Sequence, residues 1–174
     1  MDYHEELGIL IHKKEIKNTI KIIAKKINND YKGRFPVLIC VLKGGFIFMA
    51  DLIRYLSIEV EIDFVELSSY GSDVKSSQKV KINKWLSSSI KDRDVLIIED
   101  VVDTGITLEF LLERLKKEKP SSLKLCSLTS KVSRRKKAIN IDYLGFDIPD
   151  KFIVGYGLDL NEKYRNLPEI YFLK

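Results

Sequence analysis

The sequence predicts an α/β fold: a mainly parallel central sheet flanked by helices on both faces, with ligand-binding loops at the carboxyl ends of the strands. Three observations predict it. Short continuous apolar runs such as Val37–Leu42 and Val95–Ile98 have the composition of strands buried on both faces of a parallel sheet. Segments with apolar residues at helical spacing lie between such runs, so strand and helix alternate over the first three quarters of the chain. The chain has 174 residues, 45% of them hydrophobic and 32% charged, which is enough for one core and too apolar for disorder.

The elements follow in order. Ile16, Ile20, Ile23 and Ile27 recur at helical spacing between Lys13 and Asn28, giving an amphipathic helix with a lysine-rich outer face. Strand Val37–Leu42 is broken by Lys43-Gly44-Gly45. A second helix runs from about Phe46 to Leu56, with Ile47, Ala50, Leu52, Ile53 and Leu56 as its apolar surface. An extended segment from Ile58 to Leu67 leads into the polar loop Ser68 to Gln78, and Val80 and Ile82 then alternate with lysines as in a half-exposed strand closing a hairpin. Strand Asp94 to Ile98 is followed by a helix marked by Leu108, Leu111, Leu112 and Leu115 that ends near Pro120. Leu123 to Leu128, Ile141 to Phe146, Phe152 to Tyr156 and Ile170 to Leu173 are further extended pieces. There is no repeat or low-complexity tract.

Cys40 and Cys126 sit in apolar runs without the number or spacing of a disulfide framework or zinc site, and are expected as buried thiols. His4 and His12 fall outside any chemical motif and are expected in exposed or capping positions. The acidic residues near Met1 and the want of a long apolar stretch point to a cytoplasmic protein without a membrane partner. A net charge of +5 suggests an anionic partner but does not separate nucleic acid from a small polyphosphate. Within the basic run Lys131 to Lys137, Arg134-Arg135-Lys136-Lys137 is expected as a solvated loop and helix start.

The strongest chemical signal is the strand that delivers Glu99-Asp100 to its carboxyl end, followed by Asp103-Thr104-Gly105-Ile106-Thr107 at a helix start. Unpaired N–H groups and the positive dipole end favour an anion there, Gly105 lets the backbone approach closely, and Thr104 and Thr107 add hydroxyl donors. This is a cradle for a phosphate monoester. Glu99 and Asp100 are wrong for holding phosphate and suited to accept hydrogen bonds from vicinal ribose hydroxyls, so the ligand suggested is a ribose 5-phosphate. No lysine lies in the loop, which argues against a Walker nucleotide site, and the spread of three glycines required for dinucleotide binding is missing.

Val95 to Leu108 resembles the phosphoribosyl pyrophosphate loop of the purine phosphoribosyltransferases, with its apolar strand, acidic pair, two apolar residues, Asp, Thr or Ser, Gly and Thr. Further likeness points to the hypoxanthine-guanine branch of that family. Val41-Leu-Lys-Gly-Gly-Phe46 looks like the pyrophosphate loop, where the Lys43-Gly44 peptide supplies backbone donors and can be cis. Ser69-Tyr70-Gly71 resembles the catalytic lid. Lys131 is similar to the lysine that donates to the purine 6-oxo group, and Asp150 to Arg165 matches the carboxy-terminal signature.

The resemblance implies a type I phosphoribosyltransferase fold as one domain over 1–174, with a core at about 36–146 and a small hood from the N-terminal segment and about 147–174. It implies transfer of a phosphoribosyl group to N9 of hypoxanthine or guanine, with Asp103 as general base or acceptor for the N7 proton. Phosphoribosyl binding falls to Glu99, Asp100, Asp103, Thr104, Gly105, Ile106 and Thr107, and pyrophosphate binding to Lys43, Gly44 and Arg165. Phe152 stacks on the purine, the Ile153 backbone meets its edge, and magnesium is held by Glu99, Asp100 and Asp159. A homodimer or homotetramer is implied, with Phe46 to Tyr55 apolar enough to contribute an interface. Ile106 departs from relatives that carry lysine there. An RNA-binding regulator sharing the fold is the rival reading; its loop typically lacks the aspartate present here as Asp103, so no nucleic acid is expected.

Overall fold

The computed structural model describes residues 6–70 and 79–174, leaving the side chains of Ser69, Tyr70 and Lys79 aside. In chain order the elements are β1 (Leu7–Ile11), α1 (Lys13–Asp30), β2 (Val37–Leu42), α2 (Phe46–Ile53), β3 (Glu61–Tyr70), β4 (Lys79–Lys84) and β5 (Asp94–Val102). Then come α3 (Ile106–Lys117), β6 (Ser122–Ser130), a 3-10 turn (Val132–Arg134), β7 (Tyr143–Asp147), β8 (Ile153–Val154) and β9 (Ile170–Leu173).

Six strands form one sheet in the order β4-β3-β2-β5-β6-β7. All neighbours are parallel except the β3–β4 hairpin at one edge. From β2 the chain crosses through α2 to β3 on one side, whereas from β5 it crosses through α3 to β6 on the other. The loops leaving β2 and β5 therefore diverge, which opens a crevice at the carboxyl ends of these two central strands.

Alternation along the strands divides the core. Leu38, Cys40, Leu96, Ile98, Cys126 and Leu128 face α1 and α2. Val37, Ile39, Val41, Val95, Ile97 and Leu125 face Leu108, Leu111 and Leu115 of α3. Both cysteines are buried free thiols, and burial pushes the Cys40 thiol up to about 12. The four isoleucines expected to seat α1 are all at most 2% exposed, each contributing roughly 1.5–3 kcal/mol.

A second, three-stranded sheet in the order β1-β9-β8 joins the two ends of the chain. Its Ile11, Ile153 and Ile170 belong to the same apolar cluster as α1 and α2, so this sheet packs on the α1 and α2 side of the central sheet. Asp63 of β3 is buried and organises the return from β4 to β5: its carboxylate accepts hydrogen bonds from the backbone N–H of Phe64, Ser87 and Ser88 at 2.8, 2.7 and 3.3 Å.

Several boundaries differ from expectation. β1 was not anticipated, and β5 runs on through Glu99-Asp100 to Val102. β3 begins three residues later than Ile58 and extends to Tyr70, inside the expected loop. α2 stops at Ile53 and buries Phe48, Met49 and Leu52, while Ala50 is exposed. That helix is apolar on nearly every side, so periodicity does not select its buried face.

Candidate active site

The crevice is built first by β5. Its last turn of chain carries Glu99 and Asp100, and the Asp100 carbonyl accepts a hydrogen bond from Thr129 Oγ1 at 2.9 Å. Asp100 Oδ1 accepts one from the Val101 N–H at 2.9 Å, which fixes the carboxylate. Burial first, and the adjacent Asp100 charge second, raise the Glu99 carboxyl well above its ordinary range. Gly105 caps α3 at φ +82°, a left-handed conformation that suits glycine. The N–H groups of the first helical turn beyond it have no acceptor within the helix. A cavity of about 210 Å³ lies over this turn, lined by Glu99, Asp100, Asp103, Thr104, Gly105 and Thr107 among others.

A second cavity of about 400 Å³ adjoins it and shares Asp100, Val101 and Asp103 with it. Lys43, Gly44, Lys131, Arg134, Asp150, Phe152, Ile153, Leu158, Asp159 and Arg165 complete its wall. Lys131 stands at the end of β6, its side chain 8% exposed, with Nζ 3.9 Å from Asp103 Oδ2. Phe152 is 50% exposed, so it is not a core residue. Ile153 is buried in β8 and lines the cavity.

The loop after β2 closes the other side. A cis peptide is present at Leu42–Lys43, one bond earlier than Lys43-Gly44; outside bonds to proline, residue type gives no signal for this isomer. Gly44 lies directly against Asp100: a Cβ there would fall 1.7 Å from Asp100 Oδ2. Lys43 Nζ pairs with Glu162 Oε1 at 3.1 Å. Arg165 donates from Nη1 to the Gly157 carbonyl at 2.8 Å, and its Nη2 pairs with Asp159 Oδ1 at 2.8 Å and Glu162 Oε2 at 3.2 Å.

Of the residues singled out in the sequence, Glu99, Asp100, Asp103, Thr104, Gly105 and Thr107 meet at one cavity, and Lys43, Gly44, Arg165, Lys131, Phe152, Ile153 and Asp159 at its neighbour. Ile106 opens α3 and points its N–H at Thr104 Oγ1, 3.5 Å away. Ser69 and Tyr70 end β3, paired through the backbone with Val80 and Lys79. Their side chains and Gly71 lie outside what the structure describes. His4 does so too, whereas His12 is an exposed helix cap whose Nδ1 approaches Glu169 at 3.2 Å.

Arg134 corrects the reading of the basic run. Its Nε lies 2.8 Å from Asp103 Oδ1, and its Nη1 donates to Asp150 Oδ1 at 3.4 Å. In a 3-10 turn residues three apart eclipse one another, so Lys131 and Arg134 reach the same carboxylate. Arg135 is likewise engaged, donating to Ser130 Oγ at 2.7 Å, and Lys137 pairs with Glu109 at 2.7 Å. The 131–134 spacing was a signal that could have been used, but only knowledge of Asp103 beneath the turn gives it meaning.

Comparison with known proteins agrees with this geometry. The model of the phosphoribosyl transferase domain matches residues 8–161. The hypoxanthine-guanine phosphoribosyltransferase of Bacillus subtilis (strain 168) is 46% identical over 171 residues, covering 98% of this chain and 95% of that protein. The chain belongs to the phosphoribosyltransferase family, on its hypoxanthine-guanine branch. Among solved phosphoribosyltransferases, the hypoxanthine enzyme of Staphylococcus aureus superposes with a TM-score of 0.94 at 44% identity, covering 98% of this chain and 94% of that one. The hypoxanthine-guanine enzyme of Bacillus anthracis gives 0.91 at 44% identity, with 96% and 98% covered. Likeness of this extent makes the parallel sheet and its crevice those of a phosphoribosyltransferase throughout.

Proposed function

We propose that the chain transfers the 5-phosphoribosyl group of phosphoribosyl pyrophosphate to N9 of hypoxanthine or guanine, releasing pyrophosphate. The observation that carries this reading is the placement of Lys131 Nζ 3.9 Å from Asp103 Oδ2 in a pocket walled by the exposed ring of Phe152. A 6-oxopurine presents O6, an acceptor, beside N7, which carries a proton to be accepted. A lysine and a carboxylate side by side match that edge, whereas adenine would turn an amino donor toward the lysine.

In this reading the 5-phosphate sits on the Thr104–Thr107 turn and the ribose hydroxyls face Glu99 and Asp100. C1 of the ribose then lies where the two cavities meet at Asp100, Val101 and Asp103. Asp103 accepts the N7 proton as N9 attacks, Phe152 stacks on the base, and Ile153 orients its edge through the backbone. The Gly44 backbone, Lys43 and Arg165 hold the departing pyrophosphate. Ser69 and Tyr70 are proposed to exclude water from the reacting centre.

Magnesium fits the donor set. Glu99 and Asp100 lie side by side, neither makes an ion pair among the described residues, and burial first, then the Asp100 charge, raises Glu99. One or two carboxylates alongside phosphate oxygens and water are what this cation uses. Glu99 and Asp100 would hold it at one cavity, while Asp159, tied to Arg165, lines the neighbouring one; among the described residues no three such side chains converge, so Asp159 would join only by giving up that contact. The metal supplies neutralisation of the charge that develops on the leaving group.

We extend the proposal to a cytoplasmic homodimer or homotetramer. Exposed Phe46, which opens α2, and Tyr55, just beyond its end, support association, and free buried thiols suit a reducing compartment. Sedimentation at micromolar concentration checks the assembly. The deciding experiment supplies hypoxanthine, guanine, xanthine, adenine and uracil singly with phosphoribosyl pyrophosphate and magnesium and measures pyrophosphate release. Turnover with hypoxanthine or guanine is expected; turnover with uracil or adenine alone would overturn the reading.

A further inference from the structure

Asp103 is held between two cations, only one of which the family resemblance accounts for. Lys131 faces Oδ2 at 3.9 Å and Arg134 Nε faces Oδ1 at 2.8 Å. Oδ1 is buried and accepts no aligned hydrogen bond, so Arg134 is the cation nearest an otherwise unsatisfied carboxylate oxygen. A buried polar oxygen without a partner is costly.

The segment bearing Arg134 is not a free loop. Its backbone is tied to the phosphate loop on both sides of the arginine: Lys131 N–H donates to the Val102 carbonyl at 2.9 Å, and Lys136 N–H to the Thr104 carbonyl at 2.9 Å. The turn therefore moves with the loop that carries Asp103. The other arm of the guanidinium reaches Asp150, on the segment that leads to Phe152. Arg134 thus spans from the phosphate loop to the purine wall, while its side chain remains 46% exposed, too open for it to act as core packing.

We propose that Arg134 is a positioning residue for the transfer reaction: it holds Oδ1 of Asp103 and so turns Oδ2 toward the base. This rests on the reading of Asp103 as acceptor of the N7 proton. Arg134 lines the base cavity but not the 5-phosphate cradle, and its near contact there is Asp103, through which it acts. Stacking on Phe152 and donation from Lys131 do not depend on it, so its removal affects the chemical step more than the capture of the base. Lysine at this position restores charge, but its single nitrogen cannot span Asp103 and Asp150 together.

The test is a double-mutant cycle on kcat and on KM for hypoxanthine, using Arg134→Gln, Asp103→Asn and the pair, with Asp150→Asn as a control that weakens only the second arm by removing its charge. Arg134→Gln is expected to lower kcat roughly tenfold, the order of one charge-assisted contact, with KM for hypoxanthine little changed. Adding it to Asp103→Asn is expected to have no further effect. Asp150→Asn should fall between wild type and Arg134→Gln. Additive losses in the double variant, a rise in KM at constant kcat, or wild-type turnover in Arg134→Gln would overturn the assignment. Unchanged turnover in Asp103→Asn itself would instead remove the acceptor role on which it stands, so the two failures are distinct.

Discussion

Replacing Gly44 with alanine puts a methyl group where the Asp100 carboxylate already lies. The added Cβ would sit 1.7 Å from Oδ2 and 2.5 Å from Cγ, where ordinary contact begins at 3.4 Å. A displacement of 3.4 − 1.7 = 1.7 Å must therefore be absorbed. The loop cannot retreat far, because the Gly44 carbonyl is backed by Gly157, whose own α-carbon has space for no side chain: a Cβ there would lie 2.2 Å from that carbonyl. Asp100 must swing instead, breaking the Val101 N–H contact at 2.9 Å that fixes its direction.

A misplacement of about 1 Å in a site costs on the order of a hundredfold in rate, which corresponds to about 2.7 kcal/mol of transition-state stabilisation. We expect Gly44→Ala to lower kcat/KM for phosphoribosyl pyrophosphate by that order. The urea midpoint should change little, since one short side chain yields rather than the sheet. Initial rates at saturating hypoxanthine, paired with urea unfolding, read both quantities. Unchanged kcat/KM would show that Asp100 does not need this direction and would refute the argument; a large fall in midpoint would show that the loop, not the carboxylate, gave way.

The remaining expectations concern single residues. Phe152→Ala should raise KM for hypoxanthine by roughly tenfold or more, as loss of a stacking face does, while the melting temperature of this half-exposed position stays near wild type. Lys131→Gln should weaken 6-oxopurines relative to adenine, read as a ratio of kcat/KM values, with the phosphoribosyl pyrophosphate KM unaffected. For Asp63, burial raises the carboxyl, but the N–H donors of Phe64, Ser87 and Ser88 and the charge of Lys84 outweigh it and leave the value lowered. A lowered folded value means its stabilisation is complete above about pH 4 and is lost as pH falls through the folded value. Asp63→Asn should therefore flatten the acid side of a stability profile taken by urea midpoint from neutral to acid pH, and an unchanged acid slope would contradict this.

What was legible in the sequence is what is local. The Asp103–Thr107 loop reads directly because a buried strand, an acidic pair and a glycine-bearing helix start are consecutive, and their chemistry follows from backbone geometry. α1 reads because one isoleucine stripe opposes a lysine face. Less legible were features set by distant partners. β1 is defined by pairing with β9 at the far end of the chain, so its short Leu7–Ile11 run carries little periodicity of its own. Arg134 looked like one of four surface cations, and only tertiary packing places Asp103 below and Asp150 beside it.

The charges at the proposed pyrophosphate site fit one that is both stable without its ligand and ready for it. Lys43 and Glu162 meet with side chains 53% and 65% exposed, and exposed pairs of this kind contribute little because water screens them. Exchanging Glu162 for a phosphate oxygen at Lys43 therefore sacrifices little. Arg165 is more enclosed, at 20%, yet its two nitrogens divide the work. Nη1 is held on the Gly157 carbonyl, which fixes the plane of the guanidinium, while Nη2 faces two carboxylates that compete for it. A diphosphate can take the place of those carboxylates without reorienting the guanidinium, so little side-chain freedom is lost on binding. The same competition works in reverse after transfer: Asp159 and Glu162 are placed to reclaim Arg165 and Lys43, and Glu162→Gln is expected to slow pyrophosphate release, measured as a larger burst in pre-steady-state turnover, with an unchanged burst counting against this exchange.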